Sequence, residues 1–335
     1  MPCAVVGNSD GMSINGALRS LLDTALDRSI VGGYTRVGYQ LRSLGWPDDP
    51  APHALKGKTA LVTGANRGIG KAIATGLAEL GASVLLTVRD ETSGELARNE
   101  IVDANPEADV QVEVCDVADL SAVRAFAAEL SARVWELDVL IHNAGVLPPQ
   151  RAETADRHEV TLATHVLGPV LLTECLLPVL RGAENPRVIF MSSGGMYTQS
   201  LPADDPEYSD EPYSGVTAYA RTKRMQVALT PILSRHWADD GIRVYSMHPG
   251  WADTPGVATS LPGFRALTGP LLRTPEQGAD TAIWLAATEP APPSGGFWHD
   301  RRPRPEHYLP LTRHGERERE RLWRYCAYSI GIDNA

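Results

Sequence analysis

Short, almost purely apolar runs alternate along this chain with longer segments in which apolar residues recur at three- and four-residue spacing. Ala60-Leu61-Val62, Ser83 to Val88, Val110 to Val114, Val139 to Ile141, Arg187 to Met191 and Ile242 to Ser246 read as six strands. Lys71 to Leu80, closed by Gly81, reads as a helix, as do Ser121 to Val134 and Ala218 to Ala238. Strands separated by amphipathic helices belong to a sheet covered on both faces. Repeated strand–helix–strand units then imply parallel order with right-handed crossovers. The predicted fold class is α/β: a doubly wound Rossmann fold, a mainly parallel sheet with helices on both faces.

Three regions break the rhythm. Leu18, Leu21, Leu22, Leu26 and Ile30 recur at helical spacing before the first strand, and Tyr34, Val37 and Leu41 extend the pattern past Gly32-Gly33. Residues 197–216 are rich in Pro, Asp, Ser and Gly, and residues 287–315 carry six prolines. Long loops inside a compact domain are commonly functional, so 197–216 and part of 290–310 are expected to border a substrate pocket. Glu316 to Tyr328 is charged and reads as a helix. The expected organisation is an N-terminal helical extension over 1–55, a Rossmann domain over 56–300 and a C-terminal extension over 301–335.

Composition narrows the function classes. The chain has 335 residues and a net charge of −10, which argues against nucleic acid as a partner. Cys3, Cys115, Cys175 and Cys326 are scattered without C-x-x-C spacing, which points to a reducing compartment. The histidines form no H-E-x-x-H, so no metal is expected. The start of the chain lacks the basic and apolar regions of a signal peptide. The longest apolar stretch, Val166 to Leu180, is broken by Pro169, Glu174 and Pro178, so no integral membrane span is expected. A cytoplasmic protein is the expectation, with self-association left open.

The first strand runs into Thr63-Gly64-Ala65-Asn66-Arg67-Gly68-Ile69-Gly70 and then a helix. Glycines here let a pyrophosphate approach the backbone, and the helix N-terminus offers free N–H groups. A glycine turn can be a mere connector, but its place between strand and helix favours dinucleotide binding. Tyr219 and Lys223 stand at i and i+4 on a predicted helix, sharing one face. With ten tyrosines and four lysines in the chain, chance gives only about 0.1 such pair. A nearby ammonium lowers a phenol's pKa, so the pair can exchange protons with a substrate.

The spacing T-G-x-x-x-G-I-G, with Tyr-x-x-x-Lys between the fifth and sixth strands, resembles the short-chain dehydrogenase/reductase superfamily over roughly residues 57–290. A narrower resemblance to one branch of it rests on 34–52, Gln277 to Thr281 and Gly296 to Pro303, and so reaches both ends. The superfamily resemblance implies an oxidoreductase acting on a small-molecule carbonyl or alcohol substrate. It implies cofactor contacts at Gly64, Asn66, Arg67, Gly68, Ile69 and Gly70, at Asp116 and Val117, at Asn143, Ala144 and Gly145, and at Pro249, Gly250 and Thr254. It makes Ser193 the hydroxyl that binds substrate oxygen, Tyr219 the acid–base group and Lys223 a ribose ligand. NAD enzymes usually carry an acid near the end of the second strand. Here Val88 takes that place, Arg89 follows, and Arg67 lies in the glycine turn, so the expected cofactor is NADP(H) through its 2′-phosphate. Asp90 stands one residue too late to play that acid.

Two departures are visible. Ser193 and Tyr219 lie 26 residues apart in this sequence, about twice the family's usual gap, which makes 197–216 an insertion. The family's relay asparagine aligns with His165, which is expected to relay protons and to titrate in the histidine range. A catalytically weak NADP(H)-binding regulatory protein is the alternative reading. A sugar-nucleotide epimerase shares Tyr-x-x-x-Lys but has a different glycine spacing.

Overall fold

A computed structural model describes residues 23–253, 263 and 268–332. Leu18, Leu21, Leu22 and Thr254 lie outside the described residues. Elements follow in chain order: α1 Ile30–Tyr34, α2 Arg36–Ser43, β1 Thr59–Thr63, α3 Gly68–Glu79, β2 Ser83–Val88, α4 Glu91–Ala104, β3 Val110–Val114, α5 Leu120–Ser131 and β4 Val139–His142. The second half holds α6 Val160–Leu162, a π-turn over Ala163–Leu167, α7 Gly168–Cys175, α8 Leu177–Leu180, β5 Arg187–Met191, α9 Gly215–His236, β6 Arg243–Met247, α10 Pro275–Ala287, β7 Phe297–His299, β8 Arg302–Pro303 and α11 Glu316–Ile330.

The strands form one sheet in the order β3-β2-β1-β4-β5-β6-β7-β8. Every pairing is parallel except β7 with β8. This is the doubly wound Rossmann architecture. The chain reverses its direction of travel between β1 and β4, and ligands of such sheets bind at the carboxyl ends beside that switch.

The apolar strands still alternate by face. Leu61, Leu85, Leu140, Val188 and Val244 join a core with α5, α7, α9 and α11. Ala60, Val62, Val84, Ile141, Ile189 and Tyr245 point the other way, against α3 and α10. A one-residue slip would exchange the two sets, so the pattern also fixes the register, with Ala60 opposite both Val84 and Val139.

The proline-rich 290–310 region differs from expectation. It adds β7 and β8 to the sheet edge, and none of its residues lines the main cavity. Trp298 and Phe297 are buried there. The 197–216 segment is packed down rather than open. Asp205 pairs with Arg221 at 3.0 Å, and Glu207 pairs with His158 at 2.8 Å. Only Thr198 and Val216 of that segment reach the cavity.

The described part of the N-terminal extension is anchored by charge. Arg42, buried, pairs with Asp300 at 2.9 Å, Asp23 at 3.1 Å and Asp27 at 3.4 Å. Arg273 meets the same Asp300 at 2.6 Å, and Arg304 meets Asp23 at 2.8 Å. No helix among the described residues is long and apolar enough to cross a membrane.

Candidate active site

The carboxyl ends of β1, β2, β4, β5 and β6 enclose a cavity of about 920 Å³. Its floor is the glycine turn. Gly64 has φ +66, and a Cβ there would stand 2.8 Å from the Ala144 Cα. At Gly70 a Cβ would lie 2.3 Å from the Gly64 carbonyl oxygen. Any side chain at either position would push the turn away from α3 or from the β4 end. The first turn of α3 has no side-chain cap, which leaves its N–H groups for an anion.

Asn143 locks this floor. Its Nδ2 donates to the carbonyls of Thr63 at 2.9 Å and Gly64 at 3.1 Å, while Thr63 Oγ1 accepts from the N–H groups of Asn143 and Ala144. The carboxylate of Asp116 accepts from the Ala118 N–H at 3.0 Å, shaping the turn after β3. Gly64, Asn66, Arg67, Gly68, Ile69, Gly70, Arg89, Asp116, Val117, Asn143, Ala144, Gly145, Ser193, Tyr219, Pro249 and Gly250 all line the cavity. Lys223 and His165 do not; both are buried behind it.

Arg67 and Arg89 are exposed on its rim. Asp90 also lines the cavity, but its carboxylate caps α4 by accepting from the Ser93 N–H at 2.8 Å.

Ser193 stands at the end of β5 and lines the cavity beside Tyr219, near enough for its hydroxyl to act on the phenol. Burial pushes the Tyr219 phenol above its ordinary pKa, and the Ser193 contact partly opposes this. Lys223 is held one turn further along α9. Its Nζ donates to the Met191 carbonyl at 2.7 Å and lies 5.5 Å from the centre of the Tyr219 ring. Burial pushes its pKa down to about 7. The expected lowering of the phenol by this ammonium is therefore not what the structure has: the lysine is turned to a backbone carbonyl.

His165 requires a correction. Its Nε2 accepts from the Val146 N–H at 3.0 Å, so the neutral ring carries its proton on Nδ1, which donates to Thr222 Oγ1 at 2.7 Å. Its carbonyl accepts from Gln226 Nε2 at 2.8 Å. Burial, reinforced by Lys223, holds its pKa well below the ordinary histidine value. That direction, with both ring nitrogens engaged, argues against the expected titrating relay. The ring clamps the cavity-lining segment after β4 to the helix bearing Tyr219 and Lys223. His165→Asn should lower turnover by about 5-fold, the worth of one hydrogen bond, with the pH–rate profile between pH 5 and 8 unchanged in shape. A shifted inflection in that window would restore the relay.

Two residues that back the cavity-lining loops went unseen in the sequence. Tyr34 packs where a Cβ on Gly194 would be, 2.6 Å from its ring, and its carbonyl accepts from the Trp251 N–H at 2.8 Å. Arg273 fills the space beside Gly250, which has φ +75, and its N–H donates to the Trp251 carbonyl at 2.7 Å. Tyr34 belongs to the N-terminal apolar period, but nothing in that period shows which loop it backs.

Fold and cavity together define a nicotinamide-type Rossmann oxidoreductase, and the short chain dehydrogenase family model matches residues 58–262. The chain belongs to that family. Within it, the chain is 42% identical over 282 residues to dehydrogenase/reductase SDR family member 12 of Bos taurus, covering 84% of this chain and 88% of that one. It is 34% identical to human retinol dehydrogenase 12, covering 83% and 88%. Among solved structures, a Mycobacterium Paratuberculosis protein matches with TM-score 0.66 and 27% identity, covering 85% of this chain and 99% of that one. A Beutenbergia cavernae structure described as an NAD(P) dependent gluconate 5-dehydrogenase, with bound NADP, matches with TM-score 0.57 and 28% identity, covering 71% and 92%.

Proposed function

We propose that this chain interconverts a carbonyl and the corresponding alcohol with NADP(H), through Ser193, Tyr219 and Lys223. The observation that carries the reading is the Ser193–Tyr219 hydroxyl pair on a glycine-floored cavity, with Lys223 one helical turn behind it. The uncapped N-terminus of α3, the Gly64 and Gly70 approaches and the cavity volume fit a dinucleotide. When bound, the cofactor supplies or accepts the hydride.

In the reducing direction Tyr219 gives its hydroxyl proton to the substrate oxygen, which becomes the product hydroxyl. The upward push of burial keeps that phenol protonated at neutral pH. Ser193 donates a hydrogen bond to the same oxygen as charge develops on it. Lys223 in its ammonium form offsets the phenolate left behind. Oxidation runs the same steps backwards. Val146, Leu147, Val216 and Trp251 also line the cavity, which supports a substrate with an apolar body.

NADP(H) over NAD(H) is supported by Arg67 and Arg89 on the rim and by the engagement of Asp90 as a helix cap. The bound NADP of the Beutenbergia cavernae structure is consistent with this. Calorimetry should find that Arg89→Ala weakens NADPH by about 10–100-fold, the worth of a charge-assisted hydrogen bond, while NADH affinity stays within error. Equal losses for both cofactors would reject the assignment.

The buried packing of α11 through Leu322, Trp323 and Cys326 supports reading 301–335 as an extension of the 56–300 domain, with 1–55 as its N-terminal counterpart. Unpaired Cys115, Cys175 and Cys326 support a reducing, cytoplasmic setting.

A further inference from the structure

Outside the cavity, Glu306, His307 and His314 bring a carboxylate oxygen and two imidazole nitrogens within 4.8 Å of one another. They lie between β8 and α11, far in sequence from Tyr219 and absent from its cavity. The Glu306 Oε2 is 3.9 Å from His307 Nε2 and 3.8 Å from His314 Nε2. These separations are too long for hydrogen bonds. The three groups converge without bonding one another.

His314 makes the arrangement unusual. Its side chain has no exposed surface, and neither ring nitrogen makes a hydrogen bond of good geometry, although the Thr312 backbone lies beside the ring. Buried polar atoms are nearly always paired, so such a ring calls for an explanation. The other two groups are oriented from outside. Arg319 donates to Glu306 Oε2 at 2.7 Å, and Thr312 Oγ1 lies 3.5 Å from His307 Nδ1. That leaves Nε2 of His307 facing the gap, with the outer contacts metal-binding side chains commonly have.

We propose that Glu306, His307 and His314 form a binding site for one divalent cation of the zinc class. Two imidazoles and one carboxylate suit that class, with a fourth position for water. Ligand atoms in a tetrahedral zinc site stand roughly 3.3–3.4 Å apart, so small side-chain rotations close the gap from the observed separations. Burial holds the His314 ring down to about 3, and burial with the nearby Arg224 and Arg319 lowers His307. The same guanidinium charges weaken cation binding, so the affinity is below that of an all-cysteine site. Glu306 and His307 are 22% and 19% exposed, which leaves an entry path. An ion here would tie the two ends of the 306–314 segment together, beside Arg319 on α11. Arg224 on α9 already holds the Glu306 carbonyl.

The test uses the full chain, stripped with chelator and titrated with zinc chloride by calorimetry, then with cobalt chloride by visible absorption. One saturable site per chain is expected, with a cobalt spectrum of low coordination number and a melting temperature that rises by a few degrees on saturation. His307→Gln and His314→Gln should each weaken binding by about 100-fold. His158→Gln, which breaks a different histidine–glutamate pair, should leave it unchanged. No saturable uptake by the wild type, or wild-type affinity in His307→Gln, overturns the proposal. If His314→Gln fails to fold, His307→Gln decides the matter alone, because its ring is partly exposed.

Discussion

Asp300→Asn is expected to destabilise the protein by about 3–5 kcal/mol, the typical effect of removing one partner from a buried ion pair. Asp300 sits at φ +52, a conformation asparagine tolerates, so the substitution removes charge without imposing backbone strain. Its side chain is 2% exposed and meets both Arg42 and Arg273. Arg42 keeps Asp23 and Asp27, whereas Arg273 is left without a carboxylate among the described residues. Burial opposes ionisation of Asp300; the His299 ring, Arg273 and Arg42 overcome it and hold the carboxyl well below the usual range. Burial also keeps His299 down to about 3, so at neutral pH the two guanidinium groups carry the effect. With the folded pKa depressed, this contribution is complete above the ordinary aspartate value near 3.8 and is lost as pH falls through the folded pKa. Chemical denaturation of the variant at pH 7 checks the magnitude. A change below about 1 kcal/mol would mean that the network is solvated and weak. Because Arg273 also braces Gly250 and Trp251, NADPH affinity should fall with stability.

This network shows where sequence reading stops. The six parallel strands β1 to β6 were legible because each is a short run rich in apolar residues between helical segments, with β3 alternating as V-Q-V-E-V, and the glycine turn because its spacing serves a single geometry. Ends slipped by a residue or so: the last of them spans Arg243–Met247 rather than Ile242 to Ser246, since Ile242 joins the core without joining the ladder. β7 and β8, three and two residues long among prolines, are too short to carry a period. Arg42, Arg273 and Asp300 are not singled out by the sequence, because pairing across 258 residues leaves no local signature. The same holds at the cavity. Ser193, Tyr219 and Lys223 come from a recognisable pattern, yet the ring state of His165 depends on the Val146 N–H and Thr222, and no spacing rule encodes those contacts.

Tyr219→Phe is expected to cut turnover by about 10²–10⁴-fold, the usual worth of a positioned acid–base group, with NADPH affinity nearly unchanged. The substitution deletes one hydroxyl and keeps the ring that packs edge-on to His165, centroids 5.3 Å apart. Ser193 keeps the Gly195 N–H at 3.2 Å, so the loop after β5 holds its shape. The most direct measurement is a single-turnover reaction with NADPH deuterated at the transferring position and a panel of apolar aldehydes and ketones, run on wild type and Tyr219→Phe and read by mass spectrometry of the alcohol. The account predicts deuterium on the product carbon in the wild type and a collapse of that transfer in the variant under saturating cofactor. Deuterium transfer at the wild-type rate in Tyr219→Phe would contradict it.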